Sequence, residues 1–251
     1  MTHLRALEAS ADHLRAIIGP LDDAALEQRA YPTEWTIADV LSHLGSGAVI
    51  QQRALDDAVA GRPTPSDAAQ PVWDEWNAKS PRAQAADGLR ADQAMIDRIA
   101  SLTEAEASAV HISMGPLDLD LTAFVALRLN EHAFHTWDIA VALDPRATIP
   151  ADAAELLVDN LDLISRFTAR PTGDVRTITV RTTEPERTIT IELGTDAATV
   201  TAGPSSADPD LVLPAEAYSR LVYGRLDPDH TPPFEGDPGA LDVLRRVFPG
   251  P

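Results

Sequence analysis

The chain has 251 residues, a formal net charge of −19, 44% hydrophobic residues and no cysteine. That length supports one large domain or two small ones with buried cores, and the missing cysteine excludes disulfides, zinc–thiolate sites and a cysteine nucleophile. With Lys79 as the only lysine and no basic run, the chain lacks what nucleic-acid phosphates require, and its acidity reads as a solubilising surface.

No stretch of about 18 apolar residues occurs, so no membrane span is expected. The opening MTHLRALEASADHLRAI mixes charges through its apolar positions, unlike the apolar block of a signal peptide, and the expected location is cytoplasmic. Residues 3–27 read as a first helix, with Leu4, Leu7, Ala11, Leu14 and Ile18 on one stripe. In AYPTEWTIADVLSHL, Thr36 is placed to be an N-cap and Asp39 to complete a capping box, with Trp35 and Val40 as the hydrophobic staple. The second helix is predicted over 37–60, stopping before Gly61-Arg62-Pro63.

Segment 61–81 reads as a long loop with one helical turn, pinned by Trp73 and Trp76. A third helix follows over 82–103 with Leu89, Ile96 and Ile99 facing inward, a fourth over 118–143 ending before Pro145, and a fifth over 151–168. After Arg170-Pro171-Thr172-Gly173 the period changes. VRTITVRTT, RTITIEL and AATVTAG alternate as strands do, with EPE as a hairpin turn. LVLPAEAYSRLVYGRL reads as a strand and a helix begun by Pro214, and PGALDVLRRVFPG as a last helix. The expected organisation is a helical domain, 1–168, followed by a small α+β domain, 171–251.

The fourth helix carries the chemistry. Leu121, Phe124, Arg128, Glu131, His135, Asp138 and Ala142 recur at alternating steps of three and four, so they share one stripe. A solvated face is the ordinary explanation of such charges. Here Val125, Leu127, Leu129, Phe134, Trp137, Ile139 and Val141 cover much of the rest of the helix, and a helix apolar nearly all round is buried. Buried charges must be paired, hydrogen-bonded or bound to a metal.

Glu131 and His135 project from adjacent turns, a spacing that serves two metal ligands. His43, four residues after Asp39, is the best candidate for a third; the competing reading is a hydrogen-bonded core histidine. Asp39 is expected to accept from the remaining ring nitrogen of His43, and Asp138 from that of His135. Arg128 is expected to pair with an acid such as Asp138 or Asp39. Gly45 and Gly47 cost about 1 kcal/mol each inside a helix, which close approach of another group would explain. His132 lies about 100° round the helix from Glu131, outside the cluster. His3, His13 and His230 fall on exposed or terminal segments and His111 in a linker.

PTEWTIADVLSHLGS and EHAFHTWDIAVAL resemble the two signature segments of the mycothiol-dependent maleylpyruvate isomerase family. The tail ADPDLVLPAEAYSRLVYGRLDP, then FEGDPGALDVLRRVFPG, resembles that family's C-terminal domain, itself distantly similar to sterol carriers. The resemblance spans nearly the whole chain. It implies a DinB-like antiparallel four-helix bundle followed by a small α+β domain. It also implies a divalent metal, zinc foremost, on His43, Glu131 and His135. His132 departs from the family pattern, which more usually has an apolar residue there.

Three protein ligands leave a fourth position open, the layout of a catalytic zinc site. The resemblance implies that mycothiol fills it and is deprotonated there, with no catalytic group beyond this metal-bound thiolate. Its partners would be mycothiol and a small electrophile. A cis-alkene would be isomerised; an epoxide, halide or enone would be conjugated. Arg225, which matches an arginine of the family's C-terminal helix, is a candidate contact for mycothiol or an anionic substrate, against the plainer reading of a surface arginine capping its helix. The alternatives are a non-catalytic small-ligand carrier and a metal-dependent hydrolase.

Overall fold

The computed structural model describes residues 2–115, 117–204 and 208–250. The chain divides into two compact units, Met1–Ala147 and Thr148–Pro251.

The first unit is built on four long helices. These are α1 (Thr2–Ile18), α3 (Ile37–Val59), α5 (Pro81–Ala100) and α7 (Leu121–Leu143), with short helices α2 (Asp23–Leu26), α4 (Gln70–Asn77) and α6 (Glu104–Ala109) in the connections. α3 packs on α5, α5 on α1, α1 on α7 and α7 on α3, which closes a four-helix bundle. A core of Leu14, Ile18, Leu26, Ile37, Val40, Leu41 and Leu44 draws in Trp35 from the loop before α3. The expected capping box is present: the Thr36 hydroxyl accepts from the Asp39 N–H at 3.1 Å, and the Asp39 carboxylate accepts from the Thr36 N–H at 2.9 Å.

Several boundaries differ from the sequence expectations. The first helix stops at Ile18 because Gly19-Pro20 interrupts it, and α2 restarts after Asp22 accepts from the Ala25 N–H. The 61–81 segment holds two turns of helix, anchored by Trp76 alone; Trp76 is buried, whereas Trp73 is exposed. The third helix ends at Ala100. The fourth begins at Leu121, capped by Asp120. The residues before it form a hairpin, β1 (His111–Met114) with β2 (Leu117–Asp120), placing His111 on a strand rather than in a linker.

Gly45 is explained by packing. A Cβ there would stand 2.3 Å from the Trp76 ring, and one on Gly88 would stand 2.8 Å from the Leu41 carbonyl, so the two glycines let α3 and α5 touch.

The second unit contains α8 (Ala151–Leu157), α9 (Leu161–Thr168), β3 (Arg176–Thr183), β4 (Arg187–Leu193), β5 (Ala198–Ala202), β6 (Leu211–Pro214), α10 (Ala215–Val222), β7 (Glu235–Gly236) and α11 (Pro238–Val247). The strand order is β5-β4-β3-β6-β7. β3, β4 and β5 are antiparallel neighbours, while β6 runs parallel to β3. Ile178 faces Ile191 and Val180 faces Ile189 across β3 and β4, and all four are buried.

The unit boundary falls before the fifth predicted helix instead of after it. That segment is broken at Val158–Asn160 into α8 and α9, of which α8 packs on α10 and α9 on β5. Helical periodicity announces an apolar face but not the partner that covers it; here the apolar side of the sheet needs the cover. Pro214 ends β6 and caps α10 rather than sitting inside its first turn. Among the described residues no helix is long and apolar enough to cross a membrane.

Candidate metal centre

His43 and Glu131 come from facing helices, α3 and α7. Nε2 of His43 lies 3.4 Å from Oε2 of Glu131, and Nε2 of His135 lies 3.7 Å from the same oxygen. One donor atom from each of the three falls within 4.8 Å of the others. A metal holding nitrogen and oxygen at about 2.0–2.2 Å in a tetrahedron spaces its ligands roughly 3.4 Å apart, so the trio fits a single divalent cation. The donors, two imidazoles and a carboxylate, suit zinc, and nickel, cobalt and iron accept the same set. The His43 and Glu131 side chains are each about 40% exposed, at 40% and 41%, which leaves a side open to a small molecule.

The surroundings orient these groups. Nδ1 of His135 lies 2.8 Å from Oδ2 of the enclosed Asp138. A carboxylate only accepts, so Nδ1 carries the proton and Nε2 keeps its lone pair on the Glu131 side. The Trp35 ring stacks on His135 at 6.0 Å between centroids and leans on His43 at 5.2 Å. The residue expected to be a hydrophobic staple is thus also one wall of the site. Burial would raise the Glu131 pKa, but with the imidazoles in their charged form hydrogen bonds and charge from His135 and His43 outweigh it and hold the carboxyl well below the usual carboxylate range.

Asp39 does not serve His43. Its Oδ2 accepts from both the backbone and the hydroxyl of Thr36, because a carboxylate at the third residue of a helix is already within reach of its cap. Arg128 pairs with neither Asp138 nor Asp39. Its guanidinium meets Asp92 of α5 and donates to the Leu44 carbonyl at 2.9 Å.

His132 stays outside the trio, as its helical angle requires. It is enclosed, with Nδ1 2.8 Å from the Ser10 hydroxyl and Nε2 3.3 Å from Asp92. Ser10, His132 and Asp92 have the composition of a hydrolytic triad. All three are buried in the bundle core, so they serve the core. Asp92 was missed in the sequence, though the signal was there: it falls between Leu89 and Ile96 at steps of three and four on an otherwise apolar stripe.

In the second unit, Arg225 is buried rather than on the surface, and its Nη1 donates to the Tyr223 carbonyl at 3.0 Å, at the end of α10. His230 is bound to Asp227 at 2.8 Å, and exposed His111 lies 3.5 Å from Asp118 across the hairpin.

Comparison with known proteins adds a family. The sequence pattern described as "Mycothiol maleylpyruvate isomerase N-terminal domain" matches residues 7–140, slightly more than half the chain. Two solved structures resemble the fold over most of the chain: the mycothiol-dependent maleylpyruvate isomerase and a histidine-to-alanine mutant of it. Each has a TM-score of 0.64 and 15% sequence identity, covering 89% of this chain and 88% of theirs. No curated protein sequence matches significantly.

Proposed function

The chain belongs to the family of the mycothiol maleylpyruvate isomerase N-terminal domain, and from that premise we propose that it is a mycothiol-dependent enzyme acting on a small electrophile, by cis–trans isomerisation or by S-conjugation. The convergence of His43, Glu131 and His135 carries this reading. These three residues would hold a divalent cation, with zinc the best fit to their donors. When bound, such a cation stabilises the ionised form of a thiol, supplying a nucleophile at neutral pH.

The protein groups have separate tasks. Glu131 remains ionised and supplies negative charge between two imidazoles. Asp138 keeps the proton of His135 on Nδ1, away from the open side. Trp35 packs against both rings. Arg225, buried at the end of α10, is proposed to contact mycothiol or an anionic substrate. In an isomerisation, the mycothiol sulfur adds to the cis double bond. The new single bond rotates, and elimination returns the thiol and the trans alkene. With a halide the C–S bond forms as the halide ion leaves, and with an epoxide as the C–O bond opens to an alkoxide that takes a proton; the S-conjugate is then the product.

The test is to incubate purified protein with maleylpyruvate, with and without mycothiol, and to follow both the alkene geometry and the free thiol. Conversion to the trans isomer that needs mycothiol but does not consume it supports isomerisation. Conversion of epoxide or halide substrates with one thiol consumed per product supports conjugation. Turnover equal with and without mycothiol contradicts both.

A further inference from the structure

Arg128 and Gly47 form a feature that the metal reading does not use. Arg128 sits one turn before Glu131 on the same stripe of α7 and is 3% exposed. Its Nη2 donates across the bundle to the carbonyl of Leu44, the residue after His43, at 2.9 Å. The same nitrogen bonds Asp92 of α5, itself 3% exposed. A Cβ on Gly47 would stand 3.2 Å from Nη1 of Arg128, so a side chain at 47 would press the guanidinium by a few tenths of an ångström.

Three helices therefore meet at one cation. Asp92 neutralises it, the Leu44 carbonyl receives it, and Gly47 leaves it room. Adjacent turns of α7 then make parallel links to adjacent residues of α3: Arg128 to Leu44, and Glu131 to His43. A simple core ion pair would need neither the bond to α3 nor the missing side chain at 47. Burying a charge pair is costly and often adds nothing to stability compared with apolar packing, so a positional role accounts for its presence better than a stabilising one.

We propose that Arg128 is a positioning residue that fixes the separation of α3 and α7 and so holds His43 in register with Glu131 and His135 for a shared cation. This rests on the metal reading above. Groups around a metal site that orient its ligands typically contribute roughly 10–100-fold in affinity, and a clamp fixing a whole ligand-bearing helix belongs to that range.

The test is cobalt(II) titration followed by visible absorption, with circular dichroism to report folding. Three proteins are compared: wild type, the single variant Gly47→Ala, and the double variant Asp92→Asn/Arg128→Met. The single variant crowds the guanidinium while improving helix propensity. The double variant removes the clamp without leaving Asp92 or Arg128 as an unpaired buried charge. The expected result is a folded Gly47→Ala protein, at least as heat-stable as wild type, that binds cobalt roughly 10-fold more weakly with an altered absorption band. A folded double variant should show the same. Wild-type affinity and spectrum in Gly47→Ala overturn the proposal, whether or not the double variant folds. If wild type itself binds no cobalt, it is the metal reading that fails, and the two failures are told apart.

Discussion

Nδ1 of His135 lies 2.8 Å from Oδ2 of Asp138, one helical turn further along α7 and enclosed in the bundle. This contact selects the tautomer that leaves Nε2 beside Glu131. Asp138→Asn keeps an accepting oxygen but removes the charge and offers an N–H in its place. The expected effect is a loss of roughly 10–100-fold in metal affinity or activity, with the far-ultraviolet spectrum unchanged. Zinc competition titration against a chromogenic chelator measures it; unchanged affinity would mean that Asp138 merely fills the core.

Asp39 should behave in the opposite way. Its carboxylate is occupied by Thr36, so Asp39→Ala should lower stability by about 0.5–2 kcal/mol, the usual effect of losing a cap. Metal affinity should stay within a factor of about two, well short of the loss that follows removal of a ligand's partner. Thermal unfolding paired with metal titration separates the outcomes, and a large affinity loss without a shift in Tm would contradict the capping assignment.

Acid stability should depend on Asp92. Burial pushes its carboxyl up, but the charges of Arg128 and His132 and their hydrogen bonds outweigh this and hold it at about 2, below its ordinary 3.8. The unfolded chain therefore binds this proton first as pH falls. The ionised carboxylate contributes in full above 3.8 and loses its contribution as pH drops through about 2. The loss is on the order of 2 kcal/mol. Urea unfolding across that window should show a flatter pH dependence for Asp92→Asn than for wild type, even though the variant starts less stable. Parallel curves would contradict the assignment.

Arg225→Ala should leave metal content unchanged and raise the apparent KM for mycothiol or the electrophile, because it removes a binding contact and not a metal ligand. Metal analysis and steady-state kinetics check this. A fall in kcat with unchanged KM would contradict a binding role for Arg225.

Much of this was legible in the sequence because it follows from helical spacing. The stripe through Arg128, Glu131, His135 and Asp138, the capping box at Thr36 and the outlying position of His132 are all local geometry. What the sequence withheld were choices between partners. Asp138 lies ten residues further along the same helix, about 15 Å away and out of reach of Arg128, but nothing local says that Arg128 takes Asp92 instead of Asp39. The carboxylate of Asp39 had two plausible uses, and the nearer backbone took it. The 151–168 segment announced an apolar face without naming the core it covers. The hairpin at 111–120 was hidden by its strands of only four residues each, and α4 by the prolines around it.

The most direct test of the metal centre is the metal content of purified protein after dialysis against zinc, measured for wild type and for His135→Ala. The account predicts one zinc ion per wild-type chain and essentially none in the variant, with both folded by circular dichroism. A wild-type protein that retains no zinc, or a His135→Ala protein that retains as much as wild type, would contradict it.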